Sequence, residues 1–321
     1  MRRRWFEHHP EARRSLRRPV ISVGNLSVGG TGKTPLVARI AEWLISRGER
    51  PAILSRGYKR QIAVDGVVVV SDGTTERATL AVSGDEPFML ARQVPGAIVC
   101  VSEDRYLGGV LAERQLGATV HVLDDGFQHV QLARTFDILV TRAGEITKGR
   151  VLPFGRLREA PSAAARADFL VVLEADVDAA RSEAWELGVS QFAAARRILT
   201  GARGASGATD PTSAPVFAVA GIGAPEQFFV MLRDAGFVVA GTRTFPDHHA
   251  YSDRDVASVE AAMRAAGAVE VVTTEKDAVR FGALGTLPFR WRAVSMTLEI
   301  DQWDALTAGI EQALARGRGA A

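Results

Sequence analysis

Short apolar runs alternate with amphipathic stretches along most of the chain. The first run is 20–23, VISV. Behind it Leu36, Val37, Ile40, Ala41, Leu44 and Ile45 recur at helical spacing over 35–47, and Gly48 stands where a helix-ending glycine belongs. Further runs at 51–54, 97–102, 119–123, 136–141 and 168–174 predict strands, and 103–116 predicts a helix closed by Gly117. Residues 67–70, flanked by Asp65-Gly66 and Asp72-Gly73, predict a hairpin arm. Strands and helices that alternate this regularly predict a mostly parallel sheet covered on both faces.

The pattern breaks at 201–215, GARGASGATDPTSAP, which is small, polar and rich in Gly and Pro. Such a stretch predicts a linker. A second βα series follows: a strand at 216–220, a turn at 221–223, a helix at 225–235, a loop at 245–251, a helix opened by Ser252 or Asp253 and running to 266, and a strand at 269–273. The expected organisation is a first domain over 1–200, a linker over 201–215 and a second, smaller α/β domain over 216–321.

The candidate chemistry begins where the first strand ends. Residues 20–35 read VISVGNLSVGGTGKTP: a strand, a glycine-rich loop, then Gly32-Lys33-Thr34 opening a helix. This is the context of a phosphate-binding P-loop, and it predicts a P-loop NTPase-like α/β/α sandwich. Glycines let successive N–H groups turn inward, and the helix N-terminus adds partial positive charge. Ser27, Gly29, Gly30, Thr31, Gly32, Lys33 and Thr34 are the candidate nucleotide-binding residues, with Lys33 reaching the terminal phosphates and Thr34 holding Mg²⁺. Ser27 stands where the common pattern has its first glycine; Gly29, Gly30 and Gly32 supply the flexibility instead.

Two carboxylate motifs follow. The apolar run at 119–123 ends in Asp124-Asp125-Gly126, as in a Walker B strand that places a carboxylate near Mg²⁺. Asp-Gly also favours an ordinary turn. Gly84-Asp85-Glu86-Pro87 opens another helix, and Asp85 reads equally as a helix cap or as a general base near the phosphates. The loop at 148–159, KGRVLPFGRLRE, is dense in cations. His248 and His249 lie in a polar loop with no third residue at zinc-like spacing.

Composition narrows the function. The 321 residues are 47% hydrophobic and 24% charged, which suits a soluble globular chain with a sizeable core. A net charge of +2 gives no whole-molecule pull towards nucleic acid. The single cysteine, Cys100, excludes a disulfide framework. No run is long enough to span a bilayer and no signal peptide is visible. The first 18 residues carry seven arginines with Trp5, Phe6 and Leu16 among them, which reads either as a segment for an anionic membrane surface or as a solvated terminus. Lysine occurs only at positions 33, 59, 148 and 276.

Taken together, GNLSVGGTGKTP (24–35), SRGY (55–58), GDEP (84–87), LDDGFQH (123–129), LPFGRLRE (152–159), GIGAPEQFF (221–229), FPDHHAY (245–251) and TTEKDAV (273–279) resemble the tetraacyldisaccharide 4'-kinases, the lipid A 4'-kinases of Gram-negative bacteria. The resemblance implies transfer of the ATP γ-phosphate to the 4'-hydroxyl of a tetraacyl disaccharide 1-phosphate, at the cytoplasmic face of the inner membrane. It implies a peripheral, monomeric protein of two α/β/α domains with the site in the cleft between them. Carried over by position, Lys33 and Thr34 would serve ATP and Mg²⁺, Asp124 and Asp125 the metal, and Asp85 the hydroxyl, assisted by His248. Arg158, Glu159 and Glu86 would line the site; Tyr58, Gln128 and His249 are further substrate candidates. His248 is preferred to His249 because it directly follows Asp247. The loop Phe154-Gly155-Arg156 is bulkier and more basic than the usual small-residue version. Two other readings remain open at this point. A membrane-surface switch ATPase would share the P-loop without needing Asp85, and a soluble small-molecule kinase would act without lipid. A GTPase would want N-K-x-D, and the nearest stretch, Glu275-Lys276-Asp277, lacks it.

Overall fold

The computed structural model describes residues 5–319 apart from 7, 30, 31, 59, 205–213 and 283. The chain divides into two compact units, Met1–Arg197 with Leu298–Ala321, and Ile198–Thr297.

In the first unit the strands are β1 (Val20–Gly24), β2 (Pro51–Ser55), β3 (Val68–Asp72), β4 (Ile98–Val101), β5 (Val120–Asp124), β6 (Phe136–Arg142), β7 (Phe169–Leu173) and the first half of β8 (Phe192–Gly204), whose residues from Ile198 on are counted in the second unit. Their spatial order is β8-β7-β6-β1-β5-β2-β4-β3. All neighbours run parallel except β3, which lies antiparallel to β4 at the edge. Every residue of β1, β2 and β5 is buried. Strands covered on both faces have no solvent side, so the apolar runs are continuous instead of alternating. The strand order reverses at β1. In open α/β sheets that is where the carboxyl ends of strands leave a crevice for ligands.

Helices α1 (Lys33–Ser46), α2 (Asp85–Gln93), α3 (Arg105–Gln115) and α4 (Val177–Leu187) connect these strands. Gly48, with φ of 80°, takes the left-handed position just past the end of α1. The arm expected at 67–70 is β3, but its partner is not a hairpin strand. It meets the distant β4, and only an isolated bridge joins Ser71 to Glu76. The Asp72 carboxylate ends the strand by accepting from the N–H groups of Thr74 and Thr75 at 2.8 Å each.

In the second unit β9 (Val216–Ala220), β10 (Val239–Thr244), β11 (Glu270–Thr274) and β12 (Trp291–Ile300) form the parallel order β10-β9-β11-β12, with α5 (Pro225–Asp234), α6 (Asp253–Ala265) and α7 (Glu275–Gly282) between them. Ser252 opens α6 through a reciprocal capping box with Asp255.

Two expected boundaries change. Residues 201–204 finish β8 instead of opening a linker; the remainder of that stretch, 205–213, lies outside the described residues. The C-terminal helix α8 (Trp303–Gly319) belongs to the first unit, not to the second. Its Leu306, Ile310 and Ala313 are fully buried, and Gly309 sits where a Cβ would lie 2.9 Å from the Phe136 ring of β6. Trp303 meets Trp43 of α1 edge-on at 6.5 Å, and Arg39 of α1 lies over the Trp303 ring. This apolar stripe therefore completes the first core.

Candidate active site

The first unit gathers most of the expected residues at the carboxyl ends of β1 and β5. Strand β1 runs straight into Asn25, and α1 begins at Lys33 behind Gly32, whose φ is 78°. The N-cap residue, Gly32, brings no side chain to the first turn of α1. Uncapped N–H groups at a helix start are a ready anion site. Thr34 occupies the second helical position. Gly30 and Thr31, also expected to bind nucleotide, lie outside the described residues.

Lys33 Nζ donates to Asn25 Oδ1 at 2.9 Å and pairs with Asp125 Oδ1 at 3.2 Å. Arg158 grips the same carboxylate with two bonds of 3.0 Å, donates to the side chain of Asn25, and donates from Nε to the carbonyl of Ser27 at 3.2 Å. Asp125 holds this pose with φ of 55°, a conformation that costs a non-glycine residue energy. Of the three described non-glycine residues with positive φ, two are expected site residues, Asp125 and His248.

Backbone contacts fix these loops together. Val28 N donates to Arg156 O at 2.8 Å, and Arg158 N donates to Leu26 O at 2.7 Å. Gln128 donates to the Asn25 carbonyl at 2.8 Å. Gly24 has no room for a side chain, since a Cβ there would lie 2.5 Å from Phe127 Cβ. That close approach sets the P-loop against the Asp-Asp-Gly-Phe turn.

The two aspartates have opposite electrostatics. Asp124 is 4% exposed and receives a long contact from Ser55 Oγ at 3.4 Å. Burial, then the nearby charges of Glu86 and Asp125, push its carboxyl up to about 7 against the pull of Lys33 and Arg105. Burial also raises Asp125, but Lys33 and Arg158 outweigh it and leave that carboxyl at about 2. The site thus holds one firmly ionised, cation-paired carboxylate beside one that is reluctant to ionise. Asp85 is the first residue of α2 and Glu86 the second, both half-buried. Glu159 pairs with Arg166 at 3.2 Å. Tyr58 is 65% exposed on the loop after β2.

Next to this cluster Arg105, 6% exposed, opens α3 and holds its charge close to Asp124 and Asp125. His129 feels it. Burial, then the Arg105 charge, lowers the His129 imidazole to about 4. A folded value below the unfolded value of about 6.5 means that the unfolded chain binds the extra proton in that window. Stability from this group is complete above about pH 6.5 and is lost as pH falls towards 4. We expect His129→Gln to remove about 1–3 kcal/mol of acid destabilisation between pH 7 and 4.5. Urea unfolding of both proteins at the two pH values checks this; parallel losses would refute it.

The second unit carries its own cluster in the loop between β10 and α6. Lys276 Nζ donates to Asp247 Oδ1 at 3.0 Å and lies 3.3 Å from His248 Nε2; Arg280 lies 3.5 Å from His248 Nδ1. Beneath them Asp277 is fully buried and accepts from Gly221 N, Thr274 Oγ1, Tyr251 Oη and Arg280. His249 faces a different set. It stacks on Phe245 and pairs with Asp255 at 3.1 Å, so it supports the capping box.

Sequence reasoning passed over Asn25, Arg105, Arg280 and Asp277 as site residues. Asn25 had a visible signal: a polar residue set directly after a fully apolar strand, at the mouth of the glycine loop. Arg105, Arg280 and Asp277 had none, because their roles arise from tertiary neighbours. Of the basic N-terminal segment, Arg14 pairs with Asp104 at 2.6 Å and stacks over Tyr106, and Arg13 donates to the Phe6 carbonyl; Arg2, Arg3 and Arg4 lie outside the described residues. Among the described residues no helix is long and apolar enough to cross a membrane, and no three His, Cys, Asp or Glu side chains are grouped as a metal cage.

Comparison with known proteins identifies the family. The family described as Tetraacyldisaccharide-1-P 4'-kinase matches residues 1–315. The tetraacyldisaccharide 4'-kinase of Geobacter metallireducens is 42% identical over 278 residues, covering 84% of this chain and 80% of the relative. That of Pelobacter propionicus is 42% identical over 272 residues, covering 83% and 75%. A crystal structure of LpxK from Aquifex aeolicus in complex with ATP superposes with a TM-score of 0.79 at 31% identity, covering 98% of this chain and 94% of that one. The chain belongs to the tetraacyldisaccharide-1-phosphate 4'-kinase family.

Proposed function

We propose that this chain transfers the γ-phosphate of ATP to the 4'-hydroxyl of a tetraacyl disaccharide 1-phosphate, a lipid A precursor, as a peripheral monomer on the cytoplasmic face of the inner membrane. The observation that carries the reading is the convergence of Lys33, Arg158, Asp125 and Asp124 where the P-loop strand and the Asp-Asp strand end. Family membership over the whole chain supports the substrate class.

The residues fit ATP and Mg²⁺. The uncapped start of α1, with Lys33 and Thr34, suits a polyphosphate. The buried Asp124, beside Glu86 and Asp125, is a concentration of carboxylates whose ionised form a divalent cation would favour. Mg²⁺ is commonly held by one or two carboxylates together with substrate phosphates. Thr34, Asp124 and Asp125 would hold it, and it would supply charge neutralisation at the phosphates.

The chain's own residues do the remaining work. Phosphoryl transfer needs positioning and charge stabilisation more than covalent chemistry. Lys33 and Arg158 are cations already oriented by Asn25 and Asp125. Asp85 serves as the base that accepts the sugar hydroxyl proton, and His248, held between Lys276 and Arg280, assists it. Ser27, Gly29 and Gly32 cradle phosphate oxygens, while Glu86, Gln128, Arg158 and Glu159 shape the acceptor site together with Tyr58.

Incubation with γ-labelled ATP and tetraacyl disaccharide 1-phosphate in detergent micelles tests this. Labelled lipid formed only with Mg²⁺ is expected. Hydrolysis of ATP with no labelled lipid would favour a switch ATPase instead.

A further inference from the structure

The loop after β6 exposes an apolar tip. Phe154 is 84% exposed, Leu152 50% and Val151 38%. Single exposed apolar residues are normal on soluble proteins. Three within four consecutive residues, on one ordered tip, are a patch. The tip is built, not slack. Leu152 N donates to Leu157 O and Leu157 N to Arg150 O, each at 2.9 Å, and Phe154 N donates to Val151 O at 3.0 Å. The stem is anchored by the fully buried Leu157 and by the Arg156 guanidinium on the Val28 carbonyl at 2.8 Å. A stem bonded to the P-loop backbone cannot tuck its tip under the protein.

Charge indicates what covers it. Lys148, Arg150 and Arg156 are all exposed on the flanks of the tip. Apolar side chains ringed by cations match the chemistry of a lipid interface, with acyl chains at the centre and anionic headgroups around them. A second loop repeats the pattern: Tyr58 is 65% and Ile62 54% exposed, near Arg56 and Arg60. The parallel register of β1, β2, β5 and β6 sends the loops that follow all four to one edge of the sheet. The apolar tips therefore share their edge with the phosphate cluster.

We propose that Val151-Leu152-Pro153-Phe154 inserts into an anionic lipid surface, with Lys148 and Arg150 on the headgroups, and so sets the P-loop edge of the first unit against the membrane. This rests on the kinase reading, whose acceptor is a lipid.

The test uses the full chain with Phe154→Cys carrying an environment-sensitive fluorophore; the native Cys100 is 1% exposed and leaves the label at one place. Phosphatidylcholine vesicles with phosphatidylglycerol should shift its emission to the blue, and nitroxide-labelled acyl chains should quench it. The response should weaken as salt rises. Leu152→Ser with Phe154→Ser should lower vesicle partitioning about 10-fold or more, and Lys148→Gln with Arg150→Gln should lower it on anionic vesicles alone. An unshifted label, an equal response on pure phosphatidylcholine, or a shift that follows protein concentration without vesicles would each overturn the proposal. Transfer by the wild-type chain in micelles is measured alongside. Transfer without a vesicle shift overturns the loop and leaves the kinase; a shift without transfer does the reverse.

Discussion

Lys33→Ala should lower kcat/KM for phosphate transfer by about 10³-fold or more, the scale expected when a preorganised cation at the transferring phosphoryl is removed. The fold should persist. Lys33 pairs with Asp125 in the first unit, but Arg158 keeps both of its bonds to that carboxylate, so no buried charge is orphaned. A second effect follows from the same lysine. Its charge pulls the Asp124 carboxyl down, and its loss lets that carboxyl rise further above about 7. In the metal-free variant Asp124 should therefore ionise only at higher pH. Lys33→Arg should recover little, because a planar guanidinium does not replace a compact ammonium in a tight loop. Steady-state transfer against pH, with melting curves to confirm folding, measures both variants. Activity within tenfold of wild type would remove Lys33 from the machinery.

Asp85→Asn should cost about 10²–10⁴-fold in kcat while ATP binding stays within a factor of two or so, the signature of a lost general base. Asp85 opens α2, where its charge also favours the helix dipole by about 0.3–1 kcal/mol. That gives the two roles different signatures. The N-cap is Gly84, so Asp85 does not cap the helix; an aspartate serving only the first turn predicts a melting temperature a few degrees lower with turnover intact. A base predicts collapse of turnover, with rate against pH losing its acidic limb. Binding isotherms, melting curves and pH–rate profiles of the one variant separate them.

The alternation of apolar runs and helical spacing was enough to place most elements of the first unit, because its strands are buried on both faces and leave continuous signals in the sequence. Strand β10, VAGTRT, alternates half-buried and exposed positions at a sheet edge and carries no such run. The place of α8 was not legible either. Its stripe is plain in the residues, but nothing local says that the helix packs on β6 and α1 of the first unit. At the site, the P-loop and the two aspartates stood out because backbone geometry demands those residue types at fixed spacing. The pairing of Arg158 with Asp125 is different. It joins residues 33 positions apart on separate loops, and only the folded sheet brings them together. The opposite titration of Asp124 and Asp125 was beyond reach for the same reason: two adjacent identical residues differ only in what surrounds them.

The return of the chain to the first unit has a consequence for synthesis. The second unit, Ile198–Thr297, is an insertion of about 100 residues within the first. A ribosome takes roughly 5–20 s to make that much chain. Through that interval the P-loop helix has emerged, but α8, whose Trp303 meets Trp43 and Arg39, has not. The nucleotide half of the protein is thus first to begin and last to be finished, and the inserted unit can fold before the core that flanks it closes.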